Sequence, residues 1–197
     1  EFIRVLFRSG YNTTVNASNK VVIGNTSVTV IGGQVGWSIL SDGRFKKNVK
    51  ENVPGLAFIN KLRPVTYNVE VEKYERFTGR KDSLIQLMKN EIAGNERKLR
   101  TGFIAQEVEK TAQEIKYDFD GVNHPPSEKD NYSLVYADFV PSLVKAVQEL
   151  SKQNEQLAKQ NELQQKEIDA LKMMMSNGNA ISSNNSNQQA FVSGTET

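Results

Sequence analysis

The C-terminal part of the chain carries a heptad repeat of apolar residues that runs from position 138 to 175. Its a positions are Val140, Val147, Asn154, Asn161, Ile168 and Met175, and its d positions are Leu143, Leu150, Leu157, Gln164 and Leu171. A repeat of this length predicts a long helix that packs against other helices as a coiled coil. A lone surface helix would leave Leu157, Ile168 and Leu171 exposed to water. The repeat therefore predicts association of chains, although periodicity alone does not choose between a dimer and a trimer.

Polar residues interrupt the apolar seam in its middle and replace it at its end. Asn154, Asn161 and Gln164 occupy core positions, where polar side chains lower stability but fix the register and the number of partners. From position 176 to 197 the chain is rich in Asn, Ser and Gln and has no heptad periodicity. Such a composition buries too little apolar surface to fold, so we predict a disordered tail over 176–197.

Residues 10–40 predict short β-strands. The segment is rich in Val, Thr, Asn and Gly, with apolar runs at 21–23 and 28–31 on either side of a Gly-Asn turn. So short a segment cannot bury a core by itself, and we interpret it as the end of a longer β-rich stalk in which three chains complete one another. A small hairpin packed on the following domain is the alternative interpretation.

Residues 41–137 mix helix and strand signals and predict a small α/β domain. The predicted elements are a short helix over 56–62, a strand over 65–71, a helix over 82–97, a strand over 102–105 that leads into a helix at Gln106, and a loop over 119–131. Together with the stalk end and the coiled coil at 138–175, these elements predict an α+β fold class.

Ser41 and Lys46 flank a tight-turn dipeptide in the sequence SDGRFK. At this separation they are not neighbours on a helix, and an unbroken strand would point them to opposite faces. Asp42-Gly43 is a strong turn signal that would bring the hydroxyl and the amine together. A Ser-Lys pair is a known nucleophile and base, in which a neutral amine takes the hydroxyl proton. A solvated hairpin with exposed basic residues is the alternative for the same sequence.

The base in such a pair must lose its proton near neutral pH. Because the ordinary pKa of a lysine amine is about 10.4, Lys46 would need to be desolvated or crowded by other cations. The cations nearby in sequence are Arg44, Lys47 and Lys50. Trp37 could help to exclude water from Lys46.

Four stretches resemble the endosialidase-type intramolecular chaperone domain found at the C-terminus of phage tail spikes, tail fibres and bacterial surface proteins. They are GWSILSDGRFKKNV at 36–49, LRPVTY at 62–67, TGFIAQEV at 101–108 and the segment 132–150. The resemblance implies a domain that folds as a homotrimer, assists folding of the upstream fibrous region and then cuts its own chain. The segment from Glu72 to Arg100 is less similar to the family, and no function is transferred to it.

In that family the cut lies on the N-terminal side of a serine whose partner lysine follows five positions later. These roles fall on Ser41 and Lys46, and the implied cut is between Leu40 and Ser41. The chain would then be a self-cleaving serine peptidase that turns over once, without a metal or another cofactor. The resemblance also assigns 41–137 to the chaperone and autoprotease domain and makes the coiled coil at 138–175 trimeric.

Two other functions fit the same resemblance. One is a permanent trimeric cap on a surface adhesin or fibre, in which Ser41 and Lys46 are structural and no cut occurs. The other is release of a membrane-tethered transcription factor of the myelin regulatory type, against which the polar tail argues. For the self-cleaving chaperone and for the permanent cap, we expect the protein on a viral tail fibre or a bacterial cell surface.

Composition narrows the classes of partner. A net charge of +2 gives no field that would attract nucleic acid. The chain contains no cysteine, so disulfides and cysteine-bound metals are excluded. No apolar run reaches the roughly 20 residues that span a bilayer, so we expect no membrane insertion.

Two further sets of side chains are discounted as sites. His124, the single histidine, lies between polar and proline residues, and we expect it to be solvated rather than part of a triad with Ser41. Asp118, Asp120 and Asp130 do not follow the spacing of a calcium-binding loop. Residues 1–9 resemble a translated sequencing adapter, so we interpret them as an artefact and expect the chain to be part of a longer protein.

Overall fold

The structure, a computed structural model, describes residues 7–9, 21–26, 28, 30–128 and 130–192, with the backbone alone for 7–9 and 176–192. The chain forms two compact units, residues 1–145 and residues 146–197. Helices and small sheets share the first unit and a long helix continues into the second, which confirms the predicted α+β class. The homotrimer and the domain boundaries stay predictions.

The described residues contain short strands, short helices and one long helix. The strands are β1 (Phe7–Ser9), β2 (Val21–Ile23), β3 (Val65–Tyr67), β4 (Arg100–Gly102), β5 (Val122–Asn123) and β6 (Ser133–Leu134). The helices are α1 (Leu56–Ile59), α2 (Val71–Phe77), α3 (Asp82–Leu87), α4 (Lys89–Glu96), α5 (Ala105–Glu114) and α6 (Phe139–Val192), with 3-10 turns at Gly43–Phe45 and Tyr136–Asp138. β1 pairs with β2 in parallel, whereas β3 with β4 and β5 with β6 are antiparallel.

An aromatic core holds the first unit together. Phe58 of α1 is fully buried, and its ring lies 5.0 Å from the ring of Phe119. Phe119 in turn makes an edge contact with Phe139 at 4.8 Å between ring centres. Helix α5 covers this core with Val108 and Ala112, which lie one turn apart on the same face. The predicted helices near 56–62 and 106 therefore form because each has an apolar face to bury here.

The predicted loop over 119–131 is wrong in part. Val122 and Asn123 form β5, which pairs with β6, and Phe119 is buried in the aromatic core. The turn residues Gly121 and Pro125 favoured a loop in the sequence. Phe119 and Val122 instead pack in the aromatic core, and this burial orders the start of the segment.

Strand β3 is shorter than predicted, because the chain leaves it after Tyr67 and starts α2 at Val71. A second apolar cluster explains the difference: Val71, Ile85 and Ile92 are buried together, with Val69 packed against them. The predicted helix over 82–97 is also divided. It breaks at Met88, whose backbone has φ −96° and ψ 11°, and the two halves α3 and α4 each give one residue to this cluster.

Three of the stretches that resemble the chaperone family meet in the first unit. Their strands β3 and β4 pair, and Arg63 forms an ion pair with Glu107 at 2.5 Å. The guanidinium of Arg63 lowers the pKa of the Glu107 carboxyl below its ordinary value. The Tyr136 hydroxyl accepts a hydrogen bond from the Phe103 backbone and occupies the space that a Cβ at Gly102 would need. Gly102 is therefore a packing requirement.

The region before position 40 is described only in part. β2 pairs with Phe7–Ser9, which fall in the segment interpreted as an artefact, and residues 10–20 of the predicted stalk lie outside the described residues. After β2, Gly24 has a positive φ of 84° and a turn follows, closed by a hydrogen bond from Val28 N to Asn25 O. Residues 30–40 are exposed throughout.

The second unit, residues 146–197, is helical up to Val192. Its seam residues Leu157 and Leu171 are 55% and 60% exposed within one chain, as expected of a coiled-coil helix described without its partners. The helix also runs through 176–192, where the composition predicts disorder. Extension of an existing helix adds one hydrogen bond for each residue fixed, and this segment contains no proline to stop it. Residues 193–197 of the predicted tail lie outside the described residues.

Candidate active site

The turn between Ser41 and Lys46 is a single turn of 3-10 helix, Gly43–Phe45. Asp42 caps it, because its Oδ1 accepts a hydrogen bond of 2.9 Å from the backbone N–H of Arg44. Backbone hydrogen bonds from Phe45 N to Asp42 O and from Lys46 N to Gly43 O complete the turn. Gly43 is not among the described residues with positive φ. The turn therefore depends on the aspartate cap rather than on the conformational freedom of glycine.

This turn brings together the two side chains that the sequence singles out. Lys46 Nζ donates a hydrogen bond of 3.0 Å to Ser41 Oγ. That distance is within the range required of a nucleophile and its base. The predicted proximity of Ser41 and Lys46 is confirmed, while their chemical role stays a prediction.

The guanidinium of Arg44 forms an ion pair with Asp42. Arg44 Nε lies 2.9 Å from Asp42 Oδ2, and the same guanidinium makes an ion pair with that oxygen at 2.5 Å. The hydrogen bonds from the side chain and backbone of Arg44 lower the pKa of the Asp42 carboxyl, and Asp42 raises the pKa of Arg44. Because its charge is offset, Arg44 contributes little to the cationic crowding expected around Lys46.

The surroundings of the pair are apolar but open to water in one chain. Trp37 is 88% exposed, Leu40 75% and Phe45 68%. Ser41 and Lys46 are exposed as well. The expected shielding of Lys46 by Trp37 is therefore not present within a single chain. Adjacent exposed side chains of this size are typical of a surface that another molecule covers.

The other titratable residues considered from the sequence lie elsewhere. His124 Nδ1 is 2.9 Å from the carbonyl oxygen of Pro125, and its ring packs on Tyr132. Within the part of the chain that the structure describes, no hydrogen bond joins His124 to Ser41. The described residues also hold no group of three or more acidic or histidine side chains that could bind a metal, Asp118 and Asp120 included.

A buried polar network was not predicted from the sequence. Glu75 of α2 is only 1% exposed, and its carboxylate is paired with Arg80 and hydrogen-bonded by the hydroxyl of Thr26. Asn95 of α4 donates a 2.7 Å hydrogen bond to the carbonyl oxygen of Thr26. Lys98 Nζ donates to Asn95 Oδ1 at 2.7 Å. We call these five residues the polar clasp. No spacing pattern marked them, because Thr26 is distant in sequence from the rest.

None of the helices in the described part of the chain combines the length and the apolar character that a bilayer crossing requires.

Residues 41–117 match the family model described as chaperone of endosialidase. The match begins at Ser41 and includes Lys46, helices α1 to α5 and strands β3 and β4. Comparison with curated proteins gave no match, and neither did comparison with solved structures. The similarity to the chaperone-of-endosialidase family thus covers residues 41–117, the part of the chain that contains the Ser41–Lys46 turn.

Proposed function

We propose that this chain is an intramolecular chaperone that assembles as a homotrimer, guides folding of a fibrous region before position 40, and then releases itself by cutting the Leu40–Ser41 bond. The family match supports the chaperone role. The observation that carries the cleavage is the 3.0 Å hydrogen bond between Lys46 Nζ and Ser41 Oγ. The family match also begins at Ser41, the residue that would become the N-terminus of the released domain.

The reaction begins with a proton transfer and ends with water. The neutral amine of Lys46 takes the proton of the Ser41 hydroxyl, and Oγ attacks the carbonyl carbon of Leu40. An ester bond forms to Oγ, the peptide C–N bond breaks, and the Ser41 nitrogen leaves as an amine with the proton returned by Lys46. Water then hydrolyses the ester and restores the hydroxyl. The products are a carboxylate at Leu40 and a free amine at Ser41.

Assembly would control the timing of this reaction. In one chain Ser41 and Lys46 are both exposed to water, whereas burial is what favours the neutral form of an amine. A second chain packed over Trp37, Leu40 and Phe45 would remove this water and favour the neutral amine. Cleavage would therefore follow trimer formation, and only assembled fibres would lose their chaperone.

The long helix α6 would bring three upstream segments into register. Its seam is exposed in one chain, and association through it would hold three chains side by side before the stalk folds. Removal of the chaperone would then make unfolding of the stalk slow, because the element that set the register is gone. We place this activity on a viral tail fibre or a bacterial surface protein.

An uncleaved trimeric cap is the second candidate. The observation in its favour is the exposure of Ser41 and Lys46, since a solvated lysine is a poor base. In this case α6 would still hold three chains together, and the apolar residues around position 40 would be covered without any reaction.

The deciding experiment compares tagged chains by intact mass and denaturing gel. We expect the wild type to lose its N-terminal tag together with residues up to Leu40, whereas Ser41→Ala and Lys46→Ala stay intact. Lys47→Ala, which removes an adjacent exposed lysine, is the matched control and should be cut like the wild type. An intact wild type that sediments as a trimer would replace the proposal with the uncleaved cap.

A further inference from the structure

We propose that helices α2 and α4 form a docking site for the chain segment upstream of the cut, so that the N-terminal product separates only slowly from the chaperone domain after the Leu40–Ser41 bond is broken. This inference rests on the proposed self-cleavage. The occupant is the segment that contains Thr26, and the receptor is formed by the other four members of the polar clasp, Glu75, Arg80, Asn95 and Lys98.

The hydrogen bonds of Thr26 connect the two sides of the cut. Its hydroxyl donates to Glu75 of α2, and its carbonyl oxygen accepts from the Asn95 side chain of α4 at 2.7 Å. Thr26 belongs to the upstream product, whereas Glu75 and Asn95 belong to the released domain. These contacts do not pass through the Leu40–Ser41 bond, so cleavage leaves them in place.

The receptor side is held rigidly by the end of α2. Gly79 has a positive φ of 80° and terminates the helix, with hydrogen bonds from Gly79 N to Arg76 O and from Arg80 N to Glu75 O. This arrangement is a Schellman motif. It returns Arg80 to Glu75, and both side chains of the resulting ion pair are buried. The Glu75 carboxylate is thus held by Arg80 as well as by Thr26.

The occupant side is fixed as well. Gly24 has a positive φ of 84°, and a Cβ at this position would clash with Val28. The hydrogen bond from Val28 N to Asn25 O also restrains the backbone on both sides of Thr26. A preorganised segment loses less conformational entropy on binding than a flexible one.

Loss of Thr26 would remove hydrogen bonds from two polar side chains of the receptor, Glu75 and Asn95. Glu75 is 1% exposed and Asn95 is 7% exposed, so each would lose a hydrogen-bond partner inside the domain. A buried polar group without its partner is far less stable than one that keeps it, most of all when the group is charged. The clasp therefore favours the bound state whether or not the chain is continuous.

The segment between the clasp and the cut makes this geometry compatible with cleavage. Residues 30–40 are exposed, and three glycines at positions 32, 33 and 36 relax the backbone. Movement of Leu40 during the reaction would therefore not pull Thr26 from its site.

The test measures dissociation of the cut chain. The full chain is captured through an N-terminal tag, cleavage is confirmed on a denaturing gel, and release of residues 41–197 is followed over time. We expect slow release from the wild type and release about tenfold faster from Thr26→Val, which keeps the shape but loses the hydroxyl. Thr26→Ser, which restores a hydroxyl, should return release to a slow rate. Because Thr26 lies on the departing segment, these variants leave the sequence of the released domain unchanged.

A second arm separates this inference from the proposed cleavage. A site-specific protease sequence is inserted between Gly32 and Gly33 of a Ser41→Ala chain, and the added protease makes the cut. Retention here that depends on the Thr26 hydroxyl supports the docking site even if the wild type never cuts itself. Equally fast release from the Thr26 wild type and Thr26→Val, after either kind of cut, overturns it.

Discussion

Ser41 and Lys46 meet because Asp42 caps the turn that lies between them. The cap uses the Asp42 side chain and the Arg44 backbone, whereas the ion pair uses the Arg44 side chain. These two roles of Asp42 can be separated by mutation, since asparagine also caps helices but carries no charge. The turn is the smallest unit on which the proposed chemistry depends.

We predict that Asp42→Ala slows self-cleavage markedly, because the turn loses its cap and Lys46 no longer stays within hydrogen-bond distance of Ser41. Asp42→Asn should stay close to the wild-type rate. Arg44→Ala serves as the control, because it removes the ion pair and keeps the capping N–H. The measurement is the rate at which the cut product accumulates after refolding. If Arg44→Ala slowed cleavage as much as Asp42→Ala, the ion pair and not the cap would be the important interaction.

The same carboxylate predicts an effect of acid. Arg44 lowers the pKa of Asp42, so the folded turn favours the ionised form. The stabilisation is present above the ordinary pKa of 3.8 and is lost as the pH falls through the lowered value. Because the pKa of Asp42 is lowered, its carboxyl stays ionised around neutral pH, and we expect small changes of pH in that range to leave the capped turn unchanged. In a chain monitored by NMR, the Asp42 carboxyl should titrate below its position in Arg44→Ala; an unchanged midpoint would contradict the interaction.

At the scale of elements, helix α2 ends where the polar clasp begins. The end requires Gly79, whose φ of 80° is disfavoured for any residue with a Cβ, although no atom lies within 4 Å of where that Cβ would be. A substitution there tests backbone conformation without any steric clash.

We predict that Gly79→Ala lowers the free energy of unfolding by about 1 kcal/mol, because the Cβ of alanine is strained in the left-handed conformation. Gly94→Ala is the matched control: Gly94 lies inside α4 with an open Cβ position and no positive φ. That change should be neutral or stabilising by up to about 1 kcal/mol. Urea unfolding at one chain concentration measures both, and equal effects of the two would refute the assigned role of Gly79.

Elements with their own local signal were predictable from the sequence. Pro54-Gly55 and the apolar spacing after it predict α1, and the heptads predict α6. The alternation of Val65, Tyr67, Val69 and Val71 predicts one strand, but the last two valines pack with Ile85 and Ile92 instead. Such errors arise because packing between distant segments outweighs local preference. For the same reason the Ser41–Lys46 contact was predictable from a local turn, and the contact of Thr26 with Glu75 was not.

For the whole molecule, the exposed seam of α6 predicts that chains associate through this helix. Leu157 lies on the d position of the repeat, and Leu163, 61% exposed, lies on the same helix outside the seam. The two leucines differ in their place relative to the seam, so they form a matched pair.

We expect Leu157→Asn to weaken association and Leu163→Asn to leave it unchanged, because only the first adds a further polar layer to a seam that already contains Asn154, Asn161 and Gln164. Sedimentation across a range of concentrations measures this. Under the proposed function, Leu157→Asn should also reduce self-cleavage at low concentration. Equal loss of association in both variants would show that the heptad register is wrong.

The exposed position of Trp37 has an optical consequence. It is the single tryptophan of the chain, so the intrinsic tryptophan fluorescence of the protein comes from a side chain next to the Leu40–Ser41 bond. An indole in water emits at longer wavelength than one in an apolar contact, so packing of another chain over this region would shift the emission to the blue. The emission wavelength of Trp37 would therefore report when another chain packs over the Leu40–Ser41 bond. It would do so independently of cleavage of the bond and without an added label.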